Sequence, residues 1–250
     1  MRNSRSSGAL RVAESSDSKA TPHAGSGPSR RERNAAETRQ RILNAAEVEF
    51  AKKGYDGARL GQIARSAEVQ QALIHHYFDD KRGLYREVIE RALEAMSLES
   101  WDVVHRFAQP LDGPRIPELV RAFVDLLMWQ SVKHRMVYAI MRHASAAASE
   151  GEIPDDVPDA LIRKVMHEKA KPVFDAVVGL IEALIQKGYM RSDVQPRHLC
   201  ISTMSLVWIT VQDERLVRTL WSVDVRSPEF VSERKEEIVK TILARILPSR

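Results

Sequence analysis

An all-α fold is predicted by three features of the sequence. Apolar residues recur at three- and four-residue intervals in long blocks, the blocks end at glycine or proline, and no stretch alternates apolar with polar residues between turn signals at hairpin spacing. Each element can be justified in order.

Residues 1–33 are rich in Ser, Gly, Ala, Pro and Arg and hold almost no large apolar side chain. They cannot bury enough surface to offset the entropy of ordering and are expected to be a disordered, basic N-terminal arm. From Asn34 the spacing turns helical. Asn34 and Glu37 form a capping-box pattern, Ile42, Leu43, Ala46 and Phe50 share a face, and Gly54 stands where a C′ glycine ends a helix, which predicts a first helix over 35–53. A short helix over 59–66 buries Leu60, Ile63 and Ala64, with Asp56 the expected cap at its start. The tight connection Ala67-Glu68-Val69 leads to a second short helix over 70–78, in which Leu73, Ile74 and Phe78 are expected to lock the element in place. Two short helices so joined are a helix-turn-helix candidate over 59–78. Asp79 and Asp80 then cap a longer helix through Leu84, Val88, Ile89, Leu93 and Met96 toward Phe107.

Pro110, Gly113, Pro114 and Pro117 mark a break. Beyond it, helices are expected over 117–131 and 133–148, then a loop with Pro154 and Pro158, then a long helix over 159–187 that Pro172 kinks or divides and Gly188 ends. Two more follow, over 196–220 and 228–247. The chain thus divides into the arm at 1–33, a helix-turn-helix domain at 34–96 and a larger helical domain at 97–250.

The charge is unevenly spread. Net charge is +4 overall, but residues 1–41 hold nine Lys or Arg against four acids, whereas the remainder is close to neutral. A basic arm on a neutral body suits approach to a phosphate backbone. No apolar run is long enough to span a bilayer, the first twenty residues lack the apolar segment of a signal peptide, and the single Cys200 cannot form an intramolecular disulfide. A cytoplasmic location with no membrane association is expected. No GxSxG, Walker or HExxH pattern occurs, so neither an enzyme nor a cofactor is expected. His75 and His76 are adjacent, and neighbours on a helix diverge by about 100°, so no metal site is expected either.

The stretch from Thr38 to Ile89 resembles the DNA-binding domain of the TetR family of bacterial transcriptional regulators. The resemblance is carried by Arg41-Ile42-Leu43, Ala45-Ala46, Phe50, Gly54-Tyr55, Ile63-Ala64, Ala67, Val69, Tyr77-Phe78, Lys81 and Leu84. It implies that the second short helix lies in the major groove with its first residues facing base edges. There Gln70 and Gln71 can bond adenine, and Ala72 can meet a thymine methyl. His75 stands where the family usually has Tyr. His76 and Tyr77 are placed for phosphates, Lys81 at the start of the fourth helix for another, and Arg59 and Gln62 for the backbone beside the first short helix.

The resemblance also implies a homodimer through the helices around 173–188 and 196–212, reading a palindromic double-stranded operator. Val173, Val177, Leu180, Ile181 and Leu184 make one apolar stripe and Phe174, Val178 and Ile185 another, and the next helix is apolar nearly all round. The middle helices should enclose a pocket for a small-molecule effector, with Met128, Trp129, Tyr138, Met141, Arg142, His143, His167 and Phe174 as candidate lining residues. The expected function is a repressor released from its operator by that effector, with the fourth helix as lever. The alternative is a ligand-independent helix-turn-helix DNA binder of architectural type.

Overall fold

In a computed structural model of the chain, which describes residues 29–108, 115–147 and 158–248, every regular element is helical. They are α1 Arg30–Gly57, α2 Leu60–Ser66, α3 Gln71–Phe78, α4 Lys81–Ala108, α5 Ile116–Lys133, α6 Arg135–Ala147, α7 Pro158–Val165, a π turn Met166–Ala170, α8 Lys171–Gln186, α9 Pro196–Gln212, α10 Glu214–Trp221 and α11 Pro228–Ile246. The arm over 1–28 and the Pro110 and Pro154 loops lie outside the described residues.

The first helix begins earlier than its apolar pattern. Ser29 caps it: the Glu32 amide donates to Ser29 Oγ at 3.3 Å while the Ser29 amide donates to Glu32 Oε2 at 2.6 Å. This reciprocal box outcompetes the Asn34–Glu37 pattern, which falls inside the helix, so residues 30–33, expected in the disordered arm, are helical. Gly54 does end the regular part, with φ 68° and ψ −178°. Pro172 sits in the first turn of α8, and the division expected there is made by the π turn just before it. The helix expected over 196–220 is two helices, broken at Asp213 with φ −114° and ψ 39°; aspartate competes poorly for a helix interior.

Two cores result. The first joins α1 through α4: Ile42, Ala46, Phe50, Ile63, Ile74, Leu84, Val88 and Ile89 are all wholly inaccessible, and Phe50, Tyr55 and Tyr85 pack as an aromatic trio at 4.9–6.3 Å. Val137 and Ile140 of α6 and Leu161, Ile162 and Val165 of α7 complete it. Packing therefore continues across position 96, and α4 runs through it unbroken. The second core gathers α5, α8, α9 and α11 around Val124, Leu184, Val207, Ile238 and Ile246. No described helix is long and apolar enough to cross a membrane.

Candidate functional site

The corner between α3 and α4 sets the direction of α3. Ile74 and Phe78, one turn apart, are buried in the first core and fix α3 along one side. Leu73, expected to share that duty, lies about 100° round the helix and is 36% exposed. The α2–α3 turn closes through Val69 N–H to the Ala64 carbonyl at 3.0 Å, with Glu68 in the left-handed region at φ 56°. At the other end Asp79 takes φ 63°, and Asp80 Oδ1 accepts the Gly83 amide at 2.7 Å. A β-carbon at Gly83 would stand 2.1 Å from the Phe78 carbonyl oxygen, so only glycine admits this approach of α4 to the end of α3. Arg39 of α1 pairs with Glu87 of α4 and lays its guanidinium 5.3 Å from the Phe78 ring centre, tying three helices at that corner. Sequence reading missed both Gly83 and Arg39; the only signal for either was a glycine one turn into a helix.

What faces outward is mostly polar. Gln70, Gln71, Ala72, His75 and His76 are exposed on α3, as are Arg59 and Gln62 on α2. Tyr77 is half-buried against the first core and stacks edgewise on His76 at 5.1 Å. His75 Nδ1 donates to the Asp79 carbonyl at 2.9 Å, a bond that leaves Nε2 facing away. Gln71 is folded back toward α2: its Oε1 would lie 3.4 Å from a β-carbon on Gly61. Lys81, in the first turn of α4, places Nζ 4.7 Å over the Tyr55 ring and donates to the Asp56 carbonyl at 3.3 Å, which uses one of its three protons. Asp56 does not cap α2 as expected. Neither α2 nor α3 has a side-chain cap, so the amides of both first turns lack a side-chain acceptor.

A cavity of about 180 Å³ lies between α4, α5, α6, the π turn, α8, α9 and α11. Its wall is mostly Leu, Val, Ile, Phe and Met, with a few polar side chains and no charged one, and five of the chain's eight methionines (Met96, Met141, Met166, Met190, Met204) face it. Such a wall conforms to its contents. Tyr138, Met141 and Phe174 are on it, as the sequence suggested; the other candidates are not. Met128 is buried in the second core. Trp129 is 47% exposed with Lys133 over its ring at 4.2 Å. Arg142 is exposed, and His167 is exposed on the π turn. His143 sits against α1, with Nε2 3.2 Å from the Ala51 carbonyl oxygen, beside the first core. Helical spacing shows that these residues have apolar or aromatic neighbours but not which way a helix is turned, and Trp208 and Gln130, which do face the cavity, carried no separate signal. Burial pushes the Tyr138 phenol up to about 12, so it stays a neutral donor. Among the described residues no cluster of His, Cys, Asp or Glu is disposed to hold a metal ion.

Known proteins agree with this geometry. Residues 42–88 match the family described as bacterial regulatory proteins, tetR family, and residues 160–242 match the tetracyclin repressor-like C-terminal domain. The chain is 25% identical over 204 residues to the HTH-type transcriptional regulator SrpR of Pseudomonas putida, covering 72% of this chain and 87% of that one. Its fold resembles a transcriptional regulator, SCO4942, of Streptomyces coelicolor, with TM-score 0.60 and 18% identity over 84% of this chain and 98% of that one. It also resembles a regulator from Saccharomonospora viridis solved in complex with choline, with TM-score 0.57 and 19% identity over 86% of this chain and 100% of that one.

Proposed function

We propose a function from one premise: the chain belongs to the TetR family of bacterial transcriptional regulators and binds DNA. On that premise it is a homodimeric repressor that grips a palindromic operator with two copies of α3 and lets go when a small apolar effector fills the cavity. One observation carries the reading. The polar side chains Gln70, Gln71 and His75 are exposed along a helix that Ile74 and Phe78 lock on its other side, with Gln71 lying toward α2.

These side chains have the chemistry for adenine edges, and Ala72 beside them offers a methyl to thymine. The uncapped amides at the start of α3, with Lys81, Arg59, Gln62, His76 and Tyr77, face the flanking phosphates. A single α3 reads too few base pairs for an operator, so two copies must stand about 34 Å apart. Exposed Phe174 on α8 and Ile201 and Ile209 on α9 supply apolar surface for the dimer seam, while Val173, Leu180, Ile181 and Leu184 are spent inside the protomer. Leu93, Met96, Ser97 and Ser100 of α4 line the cavity, and Lys81 starts the same helix at the DNA-facing end, so a change in the cavity is carried to the head.

Binding of the full chain to duplex from its own upstream region, across a series of salt concentrations, tests this. Gln71→Ala should cost about 1–3 kcal/mol and relax preference at one operator position, whereas Lys81→Ala should weaken specific and random duplexes alike and flatten the salt slope by about one. Identical behaviour of the two variants on both duplexes would refute the division into base reader and phosphate holder.

A further inference from the structure

The cavity has one polar pole, and it is made of donors. Most polar groups on its wall have already spent their protons. Ser97 Oγ donates to the Lys169 carbonyl, Ser100 Oγ to the Met96 carbonyl at 2.8 Å, and Thr203 Oγ1 to the Leu199 carbonyl at 2.9 Å. The Gln130 amide donates to the Met96 carbonyl at 2.9 Å and to Ser100 Oγ and Glu99 at 3.2 Å. Trp208 is different. Its Nε1 is buried and has no hydrogen-bond partner among the described residues. Tyr138 meets the Trp208 ring edge to face at 5.6 Å, and its hydroxyl interacts with the indole without closing a hydrogen bond of normal geometry. A buried donor left without an acceptor costs free energy that a bound acceptor would recover.

We infer that the effector is an uncharged, largely apolar molecule carrying one hydrogen-bond acceptor, a ketone, ester or ether oxygen, which accepts from Trp208 Nε1–H and Tyr138 O–H at the α6–α9 end of the cavity. The inference rests on the reading of this cavity as the effector site and adds the chemistry of its occupant. No charged side chain lines the wall, so an ionised ligand would be stripped of water with no counter-charge. The methionines accommodate the hydrocarbon body with little regard to its outline, so recognition falls to the oxygen. The available space, about 180 Å³, slightly exceeds the roughly 150 Å³ void that accommodates benzene, which sets the scale of a fused bicycle.

Three probes of one shape separate the possibilities: tetralin, 1-tetralone and the tetralin 2-carboxylate anion, titrated into the ¹⁵N-labelled full chain and followed through its four tryptophan indole signals. Tetralone should bind about tenfold tighter than tetralin and move the Trp208 indole proton downfield; the carboxylate should bind at least about tenfold more weakly than tetralone at pH 7. Trp208→Phe should abolish the preference for the ketone, bringing the tetralone-to-tetralin affinity ratio close to one whatever it does to the affinity of both. Equal affinity for tetralin and tetralone, or a tetralone complex with no downfield shift in the unaltered protein, would overturn the acceptor and leave the cavity reading standing. Carboxylate binding as tight as the ketone's would overturn the uncharged class. If none of the three binds, this inference and the effector-site reading both fall. Should Trp208→Phe fail to fold, the indole shift of the unaltered chain decides alone.

Discussion

The two cores of this protein are built to opposite ends. Around Phe50 the helices close to zero exposure, with an aromatic trio and a glycine contact that tolerates no added atom. Around Trp208 they stop short of closing, leaving a cavity, an orphan donor and a π turn in the wall. The difference teaches where each half of a switch keeps its free energy. On the proposed reading the head must present Gln70, Gln71 and His75 in one geometry, and its close packing suits that demand. The body, proposed to respond to a molecule, forgoes packing that the molecule can supply.

That contrast predicts unequal costs for equal deletions. Phe50→Ala should destabilise the chain by about 3–5 kcal/mol in urea unfolding, because its site is sealed on all sides, whereas Phe123→Ala on the half-buried cavity wall should cost under about 2 kcal/mol. Equal losses would erase the distinction between the cores. Next in size is Gly83→Ala, where the backbone of the α3–α4 corner must shift to relieve the 2.1 Å contact; about 3 kcal/mol of stability and most operator binding should go together. Retained operator affinity there would mean that the corner does not set the aim of α3. The smallest effect lies at the far edge of the body. Arg191 and Arg245 hold the Asp193 carboxyl at about 2, tying the loop before α9 to α11. Because the folded form lowers this pKa, its contribution is present above the ordinary carboxylate range and disappears as pH falls toward 2. Asp193→Asn should therefore lower the melting temperature slightly at pH 7 and leave it unchanged below pH 2, the two curves converging across that window.

The same contrast explains what could be read from the sequence. The head was legible because its signals are local: Ile42, Ala46 and Phe50 at helical spacing, the Ala67-Glu68-Val69 turn, and Asp80 ahead of α4 all act within a few residues. Even there, the Asn34–Glu37 pattern reads as the cap, whereas the folded chain uses the same chemistry five residues earlier, at Ser29–Glu32. Leu73 failed as an anchor because two residues on a two-turn helix suffice to hold it. The body was legible in its helices but not in their rotation. Met128 and Trp129 are neighbours, and one is buried in the core while the other lies in water. Which residues bound the void depends on how α5, α8 and α9 meet, and those meetings join positions far apart in the chain. The break at Asp213 and the outward α10 are of the same kind.

The short wide coil between Val165 and Lys171 has a consequence of its own. It holds one residue more than the tighter winding on either side, and shedding that surplus would swing everything upstream by about 100°. Leu161, Ile162 and Val165 are clamped among the head's side chains and cannot follow. Met166 and Ala170, on the other side, feel whatever occupies the interior. The segment is therefore a stop between an anchored shoulder and the cavity, and the Lys169 carbonyl, which holds Ser97, joins it to α4.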